Sequence, residues 1–144
     1  MDDQLRHILK QVFGFDDFRP VQKQVIDSIL SGQDTLALLP TGGGKSLCFQ
    51  VPALARAGIC VVISPLIALM KDQVDNLRAR KIKAVAIYSG MSLKEIDTTL
   101  DNCIYGDIKF LYVSPERLKT ELFIERFRQM NVSLIAVDEA HCIS

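Results

Sequence analysis

Short apolar runs that do not alternate with polar residues are the feature that most restricts how this chain can fold. Thr35, Leu36, Ala37, Leu38 and Leu39 form one; Ile59–Ile63 and residues 134–137 form two more. A strand with one wet face alternates, whereas a strand covered on both faces does not, so these runs suit a parallel sheet between helical layers. Ala84–Ile87 and Phe110–Val113 read as two further strands, and helical patterns separate all five. Before them, Leu5, Ile8, Leu9, Val12 and Phe13 recur at helical spacing and Gly14 follows as a stop. A second helix is expected from Pro20, with Val21, Val25, Ile26, Ile29 and Leu30 inward and Gly32 just past its end. Ser64-Pro65 and Ser114-Pro115 each place an N-cap hydroxyl before an N1 proline, and Ser92 with Glu95 spells a capping box. Two helices followed by alternating strands and helices make an α/β domain with a mostly parallel sheet.

Composition narrows the function. With 17 Lys+Arg against 17 Asp+Glu the formal charge is zero, so no basic footprint of the whole domain points to nucleic acid; such a claim must come from local motifs. No apolar run approaches the ~18 residues of a membrane span, and the opening residues read as neither signal nor transit peptide. Cys48, Cys60, Cys103 and Cys142 contain no C-x₂-C pair, and His7 and His141 are the only histidines, so no zinc site is expected. Four reduced, mostly buried thiols in a cytoplasmic protein fit this usage.

Pro40-Thr41-Gly42-Gly43-Gly44-Lys45-Ser46 lies between the first buried run and a helix expected to reach about Ala57. Three glycines let successive backbone N–H groups turn inward, where they and the helix start can hold phosphate oxygens. Lys45 would bridge the terminal phosphates and Ser46 would offer its hydroxyl to Mg²⁺. The general pattern G-x-x-x-x-G-K-[ST] is met at Gly44, Lys45 and Ser46, while Leu39 stands where its first glycine would fall. A solvated glycine-rich turn is the plainer alternative.

The run 134–137 ends in Asp138 and Glu139, with His141 two residues on. Carboxylates at the carboxyl end of a parallel strand face the crevice where ligands bind, so Asp138 can hold Mg²⁺ directly or through water. Glu139 is then placed to orient or deprotonate an attacking water, which makes the reaction hydrolysis. His141 fits a coupling or hydrogen-bonding role better than proton transfer.

Taken in order, these motifs resemble those of RecQ DNA helicases of superfamily 2. The resemblance rests on residues 13–22, from Phe13 through Arg19-Pro20-Val21-Gln22, and on residues 39–50 around the phosphate loop. It continues through 62–74, through 112–118 with Ser114-Pro115-Glu116-Arg117, and through 137–144 with Asp138-Glu139-Ala140-His141. The resemblance implies a P-loop, RecA-like three-layer domain that breaks off after the Asp-Glu-Ala-His motif, with residues 1–32 as a helical lead-in that recognises adenine. No second domain is expected within the 144 residues. It assigns Gln22 to the adenine edge and Phe15 and Arg19 to stacking; an amide can both donate to and accept from adenine, and a guanidinium lies well over a purine. The plainer reading makes Phe15 and Phe18 core residues. Thr41, Gly42, Gly43, Gly44, Lys45 and Ser46 would hold ATP, Ser46 and Asp138 the Mg²⁺, and Lys45, Asp138, Glu139 and His141 would serve hydrolysis and its coupling.

The same resemblance puts Ser64, Pro65, Ser114 and Arg117 on a single-stranded DNA track. Serine hydroxyls and amides at helix starts can hold phosphates without large net charge, and they can equally be caps alone. Lys71, Arg78, Arg80, Lys81 and Lys83, against Asp72 and Asp75, read first as a solvated helix face and second as a DNA contact. The implied whole is an ATP-driven DNA helicase, 3′ to 5′ by family, acting in the cytoplasm, on the nucleoid, or in a nucleus. By this resemblance, its further helicase domains lie in cis. The segment alone would bind Mg-ATP without unwinding. It would also lack the strand that lies beside run 134–137 in RecA-like sheets, so re-pairing of 35–39 with 134–137, or self-association, is expected. An RNA helicase of the same superfamily and a non-catalytic nucleotide-binding or interaction module are the alternatives.

Overall fold

A computed structural model describes residues 2–32 and 46–137, in two compact units, Met1–Ala57 and Gly58–Ser144. The expected strand at 35–39 lies outside the described residues.

In the first unit, α1 (Asp2–Ile8) runs into one π-helical turn, Leu9–Phe13, and Gly14 ends it at φ 79°. Leu5, Leu9 and Phe13 are buried along that line, as the apolar spacing implies. The second helix, α2 (Pro20–Leu30), begins at the proline the sequence marks. Its inner face is rotated from expectation: Val21 is half exposed, while Gln22 and Ile26 point inward. A polar side chain at the first buried position is tolerated because it is hydrogen-bonded there. The third helix, α3 (Leu47–Ala55), stops slightly short of the expected Ala57 and lends Val51 to the core of Leu5, Leu9, Phe13 and Ile26.

The second unit is a four-stranded parallel sheet of β1 (Ile59–Ile63), β2 (Ala84–Ile87), β3 (Phe110–Val113) and β4 (Val132–Val137), in spatial order β2-β3-β1-β4. Helices α4 (Ile67–Ala79), α5 (Leu93–Tyr105) and α6 (Glu121–Phe127) connect them, the last after a 3₁₀ turn at Pro115–Lys119. Crossovers between parallel strands are right-handed, so a reversal of direction along the sheet moves the connecting helix to the other face. The chain steps from β1 past β3 to β2 through α4, then returns to β3 and on to β4 through α5 and α6. Accordingly α5 and α6 cover the face that carries Val61, Ile87, Leu111 and Val113. On the opposite face α4 lies against β2 and β3. The mostly parallel α/β architecture is thus observed, with four of the five expected strands in place.

Two local features depart from regularity. The β1–β4 register slips between Ile59 and Cys60, so Ser133 is extra and its hydroxyl donates to the Ile59 carbonyl at 3.3 Å. Ile135 and Val137 pair with Val61 and Ile63 and therefore face the α5–α6 side, yet they are 53% and 51% exposed. The helical layer covers Val61 and stops short of β4. Among the described residues β4 has one strand neighbour, β1.

Candidate nucleotide and nucleic-acid site

Each expected adenine-recognition residue belongs to the first unit. Phe15 follows the left-handed Gly14 and is 53% exposed, so it is not a core residue and its ring face is open; Phe18 packs against the core instead. Gln22 is buried, and its Oε1 accepts the backbone N–H of Arg19 at 2.9 Å across the start of α2. This is half of a capping box, because a guanidinium has no acceptor with which to answer. The side-chain amide of Gln22 is therefore oriented by the helix start itself. Arg19 is exposed at the N-cap position.

Ser46 opens α3, its carbonyl accepting from the N–H groups of Phe49 and Gln50 at 3.3 and 3.0 Å. Its hydroxyl makes no cap hydrogen bond. Thr41, Gly42, Gly43, Gly44 and Lys45, and also Asp138, Glu139 and His141, lie outside the described residues. Among the described residues no group of three His, Cys, Asp or Glu side chains could hold a metal ion.

Ser64 and Ser114 sit at the carboxyl ends of adjacent strands: the N–H of Ser64 donates to Val113 O, and that of Ser114 to Ile87 O, both at 3.1 Å. The connections leaving these two strands part to opposite faces, β1 into α4 and β3 toward α6. Such a parting opens a crevice at the strand ends, the usual ligand position of open α/β sheets. The sequence motifs did not disclose this; the order of strands does.

The two serines differ from the expected pair of caps. Ser64 is not the N-cap of α4, which starts at Ile67 with Leu66 in that role; its Oγ accepts the Leu66 N–H at 3.4 Å in a turn that finishes the strand. Ser114 does precede a helical turn with Pro115 first, but its hydroxyl makes no cap bond. Both serines are 1% exposed, and Ser114 Oγ and Arg117 Nε are buried without a hydrogen-bond partner among the described residues. Such orphans are uncommon in native proteins and are typical of places where a ligand or water completes the set. Pro65 and Arg117 are partly exposed at the same strand ends.

Two contacts missed at the sequence level bind α4 to this end of the sheet. Tyr112 is fully buried and donates its hydroxyl to Gln73 Oε1 at 2.6 Å. Lys71 places its ammonium 4.6 Å from the centre of the Tyr88 ring, just after β2. A tyrosine inside an otherwise apolar strand was the available signal, since a buried phenol needs a partner. The rest of the basic stretch behaves as a solvated face: Arg78 donates to Ala84 O at 2.8 Å, and Lys83 lies 3.5 Å from Asp107 in an exposed pair.

Comparisons with known proteins agree with this geometry. The chain is 49% identical over 137 residues to the ATP-dependent DNA helicase RecQ of Haemophilus influenzae, covering 95% of this chain and 22% of that protein. It is 46% identical over 141 residues to the probable ATP-dependent DNA helicase RecS of Bacillus subtilis, covering 97% of this chain and 28% of that one. The chain thus spans about a quarter of the length of these relatives. Its fold matches the crystal structure of the DUF1998 helicase MrfA bound to DNA and AMPPNP with a TM-score of 0.79 at 20% identity, over 99% of this chain and 21% of that one. Residues 19–144 match the DEAD/DEAH box helicase family, and the chain belongs to that family.

Proposed function

We propose that this chain is the nucleotide-binding portion of a RecQ-type DNA helicase, the part of a first RecA-like domain that ends with the acidic motif, residues 1–32 being its adenine-recognising lead-in. The intact protein would couple ATP hydrolysis to movement along single-stranded DNA, 3′ to 5′, and so unwind duplexes, in the cytoplasm or wherever the DNA is housed. The reading is carried by near-half identity to RecQ proteins across almost the whole chain. The orphaned Ser114 hydroxyl and Arg117 Nε at a strand-end crevice support the DNA side of it.

In this reading Phe15, Arg19 and Gln22 hold the base, and Thr41, Gly42, Gly43, Gly44 and Lys45 hold the phosphates. Ser46 and Asp138 hold Mg²⁺, which would neutralise phosphate charge. Glu139 directs the attacking water, and His141 passes the nucleotide state to the DNA track. Ser64, Pro65, Ser114 and Arg117 form that track. The 144-residue chain by itself would bind Mg-ATP without unwinding, and the half-exposed Ile135 and Val137 on β4 favour its self-association.

Titration with ATP and with single-stranded DNA tests both halves. Lys45→Ala should weaken nucleotide binding by at least about tenfold, as loss of a charge-assisted phosphate contact does. Ser114→Ala removes a hydroxyl that has no partner among the described residues, so thermal stability should hold or rise while DNA affinity falls. Unchanged nucleotide affinity in Lys45→Ala, or unchanged DNA affinity in Ser114→Ala, would count against the respective half.

A further inference from the structure

The crevice between the ends of β1 and β3 is built from two turns whose chains leave in opposite directions. The sheet ladder joins them only up to Ser64 and Ser114. Above that point something else must keep the turns at a set spacing. The bond from Tyr112 to Gln73 is so placed. Tyr112 lies two residues before Ser114 on β3, in register with Val62, which lies two residues before Ser64 on β1. Gln73 belongs to α4, the helix into which the Ser64 turn leads, so the bond joins the continuation of one turn to the strand beneath the other. The phenol is fully buried and its bond is short at 2.6 Å, as expected of an O–H donor aimed at a fixed acceptor. Met70 and Val74, buried on either side of Gln73 along α4, fix the helix face that presents the amide.

We infer that Gln73 and Tyr112 are positioning residues: their hydrogen bond sets the spacing between the Ser64 turn and the Ser114–Arg117 turn, and through it the affinity of this crevice for the sugar-phosphate backbone of single-stranded DNA. The inference rests on the DNA-binding reading proposed above. A structural bond and a positioning bond differ in what happens when both partners are replaced. Removing one partner perturbs stability, whereas replacing both with apolar groups of similar size can return it nearly to the original value. A spacing that depended on the bond would not return.

The experiment compares the intact protein with Tyr112→Phe, Gln73→Leu and the double variant. Each is followed by thermal melting, by fluorescence anisotropy with a labelled oligothymidylate, and by the DNA concentration that half-saturates ATP hydrolysis. The double variant should melt close to wild type, yet bind the oligonucleotide about three- to tenfold more weakly, the factor corresponding to one hydrogen bond. Its half-saturating DNA concentration should rise by the same factor, with turnover at saturating DNA little altered. Wild-type affinity in a double variant that melts normally overturns the inference while leaving the DNA-binding reading intact. Absence of any oligonucleotide binding by the wild-type protein overturns that reading, and the inference with it. Should the double variant melt early, the single variant Tyr112→Phe decides, because it retains the ring and loses only the hydroxyl: unchanged DNA affinity in it also overturns the inference.

Discussion

Gly58 stands at φ 104°, and a Cβ added there would lie 2.7 Å from the carbonyl oxygen of Asn131. That backbone cannot easily withdraw, because the same carbonyl accepts the N–H of Ile59 at 2.8 Å, and the Gly58 carbonyl accepts from Lys109 Nζ at 2.9 Å. Gly58→Ala should therefore lower unfolding free energy by at least about 2 kcal/mol, seen as a lower midpoint in urea. Lys81 presents the opposite case. It takes φ 66° two residues beyond α4, where the N–H of Ile82 reaches back to Leu77 O at 3.0 Å and its own N–H to Arg78 O at 2.9 Å. This is the helix ending that glycine suits best. Strain of about 1–2 kcal/mol for a side chain in this region, less the extra freedom glycine adds to the unfolded chain, leaves a gain of about 0.5–1 kcal/mol for Lys81→Gly in the same assay. Neither position was marked by the sequence. A lone Lys in a basic stretch says nothing of a left-handed turn, and the need for glycine at 58 arises from Asn131, which is distant along the chain. The burial of Gln22 was not legible, because it depends on how α2 is rotated on the core, and the exposure of Phe15 follows from the left-handed turn at Gly14.

At the scale of elements, helix starts show how far local chemistry decides. Ser92 behaves as its letters imply: its Oγ accepts the Glu95 N–H at 3.1 Å, and Glu95 Oε1 accepts the Ser92 N–H at 3.3 Å. Both bonds lie within four residues, so nothing distant can override them. Ser92→Ala should cost about 1 kcal/mol and Ser92→Gly only a few tenths, measured by chemical denaturation. Ser64-Pro65 and Ser114-Pro115 share the same two letters and diverge. The first accepts the Leu66 N–H on its Oγ in a turn, and α4 waits until Ile67, whereas the second leads straight into a 3₁₀ turn without a cap bond from its hydroxyl. Both donate their N–H into the sheet alike, so neither the dipeptide nor the strand-end bond records the difference. The four strand runs among the described residues were legible to within two residues, because β1 and β3 in the middle of the sheet are covered on both faces and spell almost wholly apolar letters, and β2 and β4 beside them are nearly as apolar.

For the molecule as a whole, the order β2-β3-β1-β4 creates the crevice, and it was not legible, because it is a matter of which distant runs pair. The phosphate loop at 40–45 and the acidic motif at 138–141 lie outside the described residues. The same sheet makes a global prediction through its thiols. Cys60 and Cys103 lie on opposite sides of it, one paired with Phe110 and Leu134 in the ladder, the other on α5 in the core of the other face. Burial pushes both thiols up to about 12, with Lys109 partly opposing the shift at Cys60. In the unfolded chain each would ionise near the ordinary value of about 8.5. Above that pH the unfolded state has lost protons that the folded state keeps, so stability falls as pH rises. Below it both states are protonated and the thiols exert no slope. Each thiol should therefore steepen the loss by up to about 1.4 kcal/mol per pH unit between roughly 9 and 12. Cys60→Val and Cys103→Ala differ in packing cost, but that cost is constant with pH. Their denaturation midpoints, followed from pH 7 to 11, should therefore decline less steeply than wild type, and the double variant least of all. Parallel curves for wild type and the double variant would mean that these thiols ionise freely and that neither face of the sheet is closed around them.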